Sequence, residues 1–256
     1  MKSFDVGFEN AAMRYHDLPG DGPALMFVHG LGCASSCDYP SVAAEPALAG
    51  RRRILVDLLG SGFSDRPADF GYGVEDQARM LVRLADHLEL PSFDLFGHSM
   101  GGAIAIATAS LLRDRLAHLV VGEPNLLPGG GFFSRKIAAM SEREFIEGGH
   151  DKLAKAARME GNGIWAASFA ATASYAAHRG AASLVAGSNP TWRDQLLALN
   201  MPRTMIFGEK SLPDPDADRL PGEGVNVVVV PEAGHSMAWE NPAGLAKAIR
   251  QGLDRS

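Results

Sequence analysis

The chain has 256 residues, of which 46% are hydrophobic and 21% are charged, and its formal net charge is −6. A chain of this length and composition buries a sizeable core, either as one α/β domain or as a core domain with one insertion. The acidic balance excludes a broad basic surface for nucleic acid or for an anionic membrane. Because the sequence has no apolar leader and no bilayer-length apolar run, we expect a cytoplasmic protein.

The chain contains two cysteines, Cys33 and Cys37. Two cysteines are too few for a disulfide framework, and no second group of Cys or His residues completes a zinc site. We therefore expect free thiols, no metal and no cofactor.

Strand-like and helix-like segments alternate along the chain. Residues 4–8 and 11–16 predict an antiparallel hairpin at a sheet edge, and helical patterns follow at 74–89 and 100–112. Six further runs are apolar on both faces, as strands inside a parallel sheet are. They are "ALMFVHG" from Ala24, "RRILVDL" from Arg52, "FDLFGHS" from Phe93, "AHLVVGE" from Ala117, "RTMIFGE" from Arg203 and "VNVVVVPEAGH" from Val225. This alternation predicts an α/β fold with a doubly wound, mostly parallel sheet.

The interval between Glu123 and Arg203 breaks the alternation. It has no convincing strand, only "PGGG" at 128–131 and then Ala-rich helical stretches. An interval of roughly 80 residues is far longer than an ordinary crossover between strands. We interpret residues 124–200 as a helical cap, inserted between core segments 1–123 and 201–256.

The stretch "FGHSMGG" at 96–102 lies between a predicted strand and a predicted helix. It contains Gly-x-Ser-x-Gly as Gly97, Ser99 and Gly101. Small residues at these positions permit the tight turn that holds a nucleophilic serine above a sheet. The strand before the motif and the helix after it make it a specific signal.

Four motifs together resemble the α/β-hydrolase superfamily in their order along the chain. They are "HGLG" at 29–32, "DLLGSGFSDRP" at 57–67, "GHSMGG" at 97–102 and "AGHSMAWENP" at 233–242. The resemblance covers nearly the whole chain and implies that Ser99 is the nucleophile and His235 the base. It also implies an oxyanion hole formed by the backbone N–H groups of Leu31 and Met100.

The position of the catalytic acid is less clear from the motifs. In most of the superfamily an aspartate follows the strand that reads "RTMIFG" here, but that position is Ser211. Glu123, which directly follows the preceding strand, is the preferred candidate, and Asp214 or Asp216 are the alternatives. A carboxylate after this strand is similar to the layout of zearalenone-type lactonases and haloalkane dehalogenases.

The nucleophile limits the chemistry that the resemblance implies. Dehalogenases and epoxide hydrolases of this fold use an aspartate, whereas Ser99 indicates an acyl-enzyme. We therefore expect a serine esterase or lactonase that cleaves a small ester or lactone, without nucleic acid or membrane partners, as a monomer or a homodimer. The alternatives are a carbon–carbon bond hydrolase, an acyltransferase or perhydrolase, and a non-catalytic small-molecule receptor.

Apolar residues near these motifs are candidates for a substrate pocket beneath the cap, since such pockets are mostly apolar. We expect His29, His98, Asp57 and Ser61 to have structural roles instead. The pocket candidates are Leu31, Cys33, Met100, Leu126, Trp165, Phe169, Met237 and Trp239.

Overall fold

The computed structural model describes residues 1–255. Its centre is an eight-stranded sheet in the order β1-β2-β4-β3-β5-β6-β7-β8. The strands are β1 (Lys2–Asp5), β2 (Ala12–Leu18), β3 (Gly22–Val28), β4 (Arg51–Asp57), β5 (Phe93–His98), β6 (Leu116–Gly122), β7 (Arg203–Gly208) and β8 (Asn226–Val230). All eight strands predicted from the sequence are present, with ends that differ by a few residues.

The helices alternate with the strands through most of the chain, as the sequence predicts. They are α1 (Ser35–Asp38), α2 (Pro40–Ala43), α3 (Val74–His87), α4 (Met100–Leu112), α5 (Phe132–Ala138), α6 (Glu142–Glu144), α7 (His150–Met159), α8 (Gly163–Ala170), α9 (Ser174–Ala186), α10 (Trp192–Ala198), α11 (Pro215–Arg219), α12 (Met237–Glu240) and α13 (Pro242–Leu253). Short 3₁₀ turns occupy 46–48, 113–115, 209–211 and 220–223, and a π-helical turn occupies 145–149. No helix within residues 1–255 is both long and apolar enough to cross a bilayer.

The direction of the strands brings the functional loops to one edge of the sheet. β1 pairs antiparallel with β2, and β2 pairs antiparallel with β4. All the remaining neighbours, from β4 through β3, β5, β6 and β7 to β8, are parallel. Parallel strands end at the same edge, so the loops after β3, β5, β6, β7 and β8 converge there.

Two apolar layers cover the sheet, one on each face. Along β3, Met26 and Val28 belong to one buried cluster, and Phe27 between them belongs to the other. α3 and α4 pack on the first face, and α13 covers β6, β7 and β8 on the second. Burial on both faces explains why the central strands read as continuous apolar runs.

The segment between β6 and β7 is helical. Residues 123–202, all of them described, contain α5 to α10 and no strand. α5 packs against α9 and α7 against α8, whereas α10 packs against α4. The helical content agrees with the predicted insertion, and its exact limits as a separate cap remain a prediction.

We expect Gly97→Ala to destabilise the fold, because α4 passes very close to β5 at this residue. An ideal Cβ on Gly97 lies 2.2 Å from the carbonyl oxygen of Gly101, which is backbone and cannot rotate away. Overpacking of this kind typically costs about 1–3 kcal/mol. Chemical denaturation measures the loss.

Gly222→Ala is the matched control, since a Cβ at Gly222 meets no atom within 4 Å. A Gly97→Ala variant as stable as the Gly222→Ala variant contradicts the prediction.

Candidate active site

Ser99 lies in a strained turn between β5 and α4. Its backbone has φ 54° and ψ −121°, a conformation that a residue with a side chain rarely adopts and that costs about 1–3 kcal/mol. An ideal Cβ on Gly101 comes within 2.4 Å of the carbonyl oxygens of Val28 and His29. The absence of a side chain at Gly101 therefore lets α4 begin directly against the loop that follows β3.

Backbone hydrogen bonds connect the turn to the ends of the next two strands. The Ser99 N–H donates to the Gly122 carbonyl at 2.9 Å, and the Glu123 N–H donates to the Ile206 carbonyl at 3.0 Å. Glu123 also has a positive φ, of 39°. Ser99 and Glu123 thus leave adjacent strands at the same level, each in a backbone conformation held by the neighbouring strand.

The structure brings Glu123 and His235 into contact. Glu123 Oε2 lies 2.7 Å from His235 Nδ1, and Glu123 Oε1 accepts a hydrogen bond from the Gly208 N–H at 2.8 Å. The Glu123 side chain is 11% exposed and that of His235 is 55% exposed. The Glu123 carboxylate is therefore held in place and largely shielded from solvent, while the His235 imidazole is more than half exposed.

The environment of Glu123 favours its ionised form. Burial alone raises the pKa of Glu123, but hydrogen bonds from His235, Gly208 and the Ser211 side chain together bring that pKa below its usual value. Ser211 occupies the position where the acid stands in most of the superfamily. Here its hydroxyl contributes to stabilising the carboxylate on the neighbouring strand.

The two alternative acids have other partners. Asp214 caps α11, where its Oδ1 accepts from the Asp216 N–H at 2.8 Å. Asp216 forms an ion pair with Arg193. Both aspartates line the same cavity as His235, but the carboxylate in contact with the imidazole is that of Glu123.

His98, which directly precedes the candidate nucleophile Ser99, holds the loop that carries His235. Its Nε2 donates to the His235 carbonyl at 2.8 Å, and the two rings are 4.6 Å apart at their centroids. Burial, aided by repulsion from His235, lowers the pKa of His98 to about 3. His98 is therefore neutral and positions the backbone of His235.

A second neutral histidine organises the loop after β3. His29 is fully buried, its Nε2 accepts from the Leu58 N–H at 3.0 Å, and its Nδ1 donates to the Gly30 carbonyl at 2.8 Å. Burial lowers the pKa of His29, although the charge of Asp57 acts in the opposite direction. These contacts fix the loop in which Gly30 lies against Ser99, since an ideal Cβ on Gly30 comes within 3.2 Å of the Ser99 Cβ. Met100 is the first residue of α4, so its backbone N–H has no intrahelical acceptor.

The helical segment contacts this loop directly. Trp165 Nε1 on α8 donates to the Leu31 carbonyl at 2.9 Å. The Trp165 ring stacks between Phe133 and Phe169, with centroid distances of 4.1 and 4.5 Å. An aromatic layer of the segment therefore holds the residue whose N–H is the predicted oxyanion donor.

A cavity of about 760 Å³ opens at the convergence of these loops. Ser99, His235 and Glu123 form part of its wall. Five of the predicted pocket residues also line it, namely Leu31, Cys33, Leu126, Trp165 and Trp239. Residues that no sequence motif indicated as pocket residues also line the cavity, among them Asp38, Asn125, Phe132 and Phe133.

Three predicted pocket residues lie behind the wall. Phe169 is fully buried and is covered by Trp165, so the i, i+4 spacing of these two residues reflects packing. Met237 is fully buried in the cluster on the α13 face of the sheet. Met100 is 7% exposed and packs toward Gly180 of α9. For these three side chains, the structure corrects the prediction of direct substrate contact.

Comparison with known proteins agrees with this architecture. The sequence model of a family described as the alpha/beta hydrolase family matches residues 25–248. The chain belongs to the alpha/beta hydrolase family. Within the family, a 2-hydroxy-6-oxo-2,4-heptadienoate hydrolase of Pseudomonas putida is 36% identical over 107 residues. That match covers 41% of this chain and 38% of the relative.

Solved structures of other alpha/beta hydrolases match the whole fold at low sequence identity. An esterase from Thermogutta terrifontis superposes with a TM-score of 0.80 at 22% identity, covering 98% of this chain and 97% of that one. An enol-lactonase from Burkholderia xenovorans also gives 0.80, at 19% identity, covering 99% and 100%. At these identities the likeness shows the shared fold.

We expect Glu123→Gln to lower kcat about 10²- to 10⁴-fold, because an amide neither orients the His235 tautomer nor stabilises an imidazolium. Rates with an activated ester, at matched thermal stability, measure the effect. Asp214→Asn, which retains the helix cap, is expected to change kcat less than about threefold. If kcat collapses in the Asp214→Asn variant and is unchanged in the Glu123→Gln variant, the assignment of the acid is reversed.

We expect Trp165→Phe to reduce kcat about 2- to 10-fold with little change in KM, because the stack remains while the hydrogen bond to Leu31 is lost. Trp192→Phe is the matched control: the Trp192 indole donates to Glu75 at 3.3 Å, away from the cavity wall. Steady-state kinetics distinguish the two variants. Equal effects on kcat from both contradict a role for Trp165 in positioning the loop.

Proposed function

We propose that the chain is a serine hydrolase that cleaves a small carboxylic ester or lactone through an acyl-enzyme. The observation that carries the proposal is that one cavity is lined both by Ser99, in its strained turn, and by His235, whose Nδ1 lies 2.7 Å from the largely shielded carboxylate of Glu123. A serine that shares a cavity with a histidine oriented by a carboxylate has the groups that acyl transfer requires.

The proposed mechanism assigns one task to each group. Glu123 accepts the Nδ1–H of His235, so that Nε2 is free to take the proton of Ser99 as its Oγ attacks the carbonyl carbon. The N–H groups of Leu31 and Met100 hold the oxyanion of the tetrahedral intermediate. His235 then returns the proton to the leaving alcohol, and water, activated by the same imidazole, releases the acid.

Charge in the cavity favours an uncharged substrate. Within the part of the chain that the structure describes, the wall includes five carboxyl side chains and no lysine or arginine. The carboxyl groups are those of Asp38, Glu123, Asp214, Asp216 and Glu240. A carboxylate-bearing ligand entering this cavity finds no cationic partner and is repelled.

The second candidate function is carbon–carbon bond hydrolysis, which the 36% identity to the heptadienoate hydrolase supports. The substrate in that relative's name is an acid anion, whereas no lysine or arginine is present among the described residues of this cavity wall to bind one. Ester or lactone cleavage is therefore preferred. Acyl transfer to an alcohol or to peroxide requires the same groups, with a different acceptor in place of water.

We expect the protein to hydrolyse p-nitrophenyl acetate and butyrate and to be labelled at Ser99 by a fluorophosphonate probe. Ser99→Ala is expected to lose the labelling and about a thousandfold or more of the esterase rate. Ser110→Ala, near the C-terminal end of α4, is the control for folding and nonspecific labelling. If the folded protein shows no turnover and no labelling at Ser99, the result favours the non-catalytic receptor instead.

A further inference from the structure

Asp38 is a buried carboxyl group in the cavity wall that the proposed mechanism does not use. It ends α1, directly after the loop that carries Leu31 and Cys33, and its residue is only 5% exposed. Within residues 1–255 its Oδ1 is buried without a hydrogen-bond partner. An unpaired buried polar atom costs about 1–3 kcal/mol and calls for an explanation.

The neighbouring buried carboxylate, Asp57, shows what a purely structural acid looks like in this loop. Its oxygens accept hydrogen bonds from the backbone and hydroxyl of Ser36 and from the backbone of Phe63, at 2.7 to 3.0 Å. The side chains of Cys33 and Trp239 interact with that of Asp38, and both of these residues line the cavity. The fold supplies donors to both oxygens of Asp57, whereas it encloses one oxygen of Asp38 without a donor in a residue that lines the cavity.

The other carboxyl groups of the cavity wall already have donors. Glu123 has His235 and Gly208, Asp214 caps α11, and Asp216 is paired with Arg193. Glu240 accepts a hydrogen bond from the Gly234 N–H. Among the carboxyl groups of this wall, Asp38 is thus the one that gains most from a hydrogen bond donated by a ligand.

The surroundings of Asp38 favour a neutral donor over a cation. Burial raises the pKa of Asp38 to about 7, and the charge of Asp57 adds to that rise, while contacts with Cys33 and Trp239 oppose it. A carboxyl group near its pKa carries only part of a negative charge, yet it accepts a hydrogen bond in either form. Rotation about its terminal side-chain bond exchanges the two oxygens at low cost.

We propose that Asp38 forms a polar subsite that accepts a hydrogen bond from a hydroxyl or amide N–H group carried by an uncharged ester or lactone substrate. This inference rests on the proposed function for the identity of the ligand. Asp38 selects among substrates by binding the donor group, while Ser99 and His235 act on the carbonyl. Cys33 and Trp239 position the carboxyl group.

Binding to the Ser99→Ala variant tests the subsite without turnover. The probes are γ-butyrolactones that carry an α-methyl, α-hydroxy, α-acetamido or α-amino group, together with methyl butanoate and methyl 3-hydroxybutanoate. We expect at least one hydroxyl or acetamido probe to bind roughly tenfold more tightly than its apolar counterpart. Calorimetric titration gives the dissociation constants, and the hydroxyl and amide arms identify the donor.

Asp38→Leu in the Ser99→Ala background is expected to reduce this preference to within about twofold. Asp38→Asn, which keeps a carbonyl acceptor, is expected to retain a measurable part of it. Asp151→Leu, on the exposed surface of α7, is the matched control and is expected to leave the preference unchanged. Because Asp38 is not fully hydrogen-bonded, we also expect Asp38→Leu to unfold at a temperature no lower than the parent.

Several results overturn the subsite: no donor-bearing probe is preferred, the preference survives Asp38→Leu, or the ammonium form of the α-amino lactone depends most on Asp38. If the Asp38→Leu variant does not fold, the Asp38→Asn variant provides the test. The subsite is also overturned if Asp38→Asn binds every donor-bearing probe and its apolar counterpart with the same affinities as the Ser99→Ala parent. Turnover of the same compounds by the unmodified protein separates the two proposals. Asp38-dependent binding without any hydrolysis refutes the hydrolase and leaves the subsite in place.

Discussion

The alignment of three parallel strand ends is the constraint on which the site depends. Hydrogen bonds from Ser99 to Gly122 and from Glu123 to Ile206 join β5, β6 and β7 at one level. The candidate nucleophile and the candidate acid therefore lie on adjacent strands, although they are 24 positions apart in the chain. The loop after β8 then brings His235 against Glu123, and the hydrogen bond from His98 to the His235 carbonyl holds this loop in place.

Around this alignment, the fold sets the charge of each shielded titratable group in a different way. Glu123 remains ionised because three hydrogen-bonding groups offset its burial. His98 and His29 are kept neutral by burial, so each can hold a loop through one donated hydrogen bond. At Asp38, burial outweighs the interactions with Cys33 and Trp239 and raises the pKa to about 7. The contrast separates a carboxylate that orients a histidine from a carboxyl group available to a ligand.

Much of the architecture could be predicted because local patterns carry it. Continuous apolar strands predicted the parallel sheet, and glycines at 97 and 101 predicted a close approach that the structure contains. Side-chain direction could not be predicted in the same way. Phe169 and Trp165 share one face of α8, yet only Trp165 reaches the cavity, because the position of the helix above the loop decides which ring is outermost.

The sequence by itself determined the fold, the strained turn at Ser99 and a choice among three carboxylates, since each depends on residues close together in the chain. Only the tertiary structure decided that Glu123 contacts His235, that Ser211 supports this carboxylate, and that Asp214 and Asp216 have other partners. It also revealed Asp38, whose buried oxygen lacks a donor. Hydrogen-bond satisfaction is a property of distant residues brought together, and no local pattern records it.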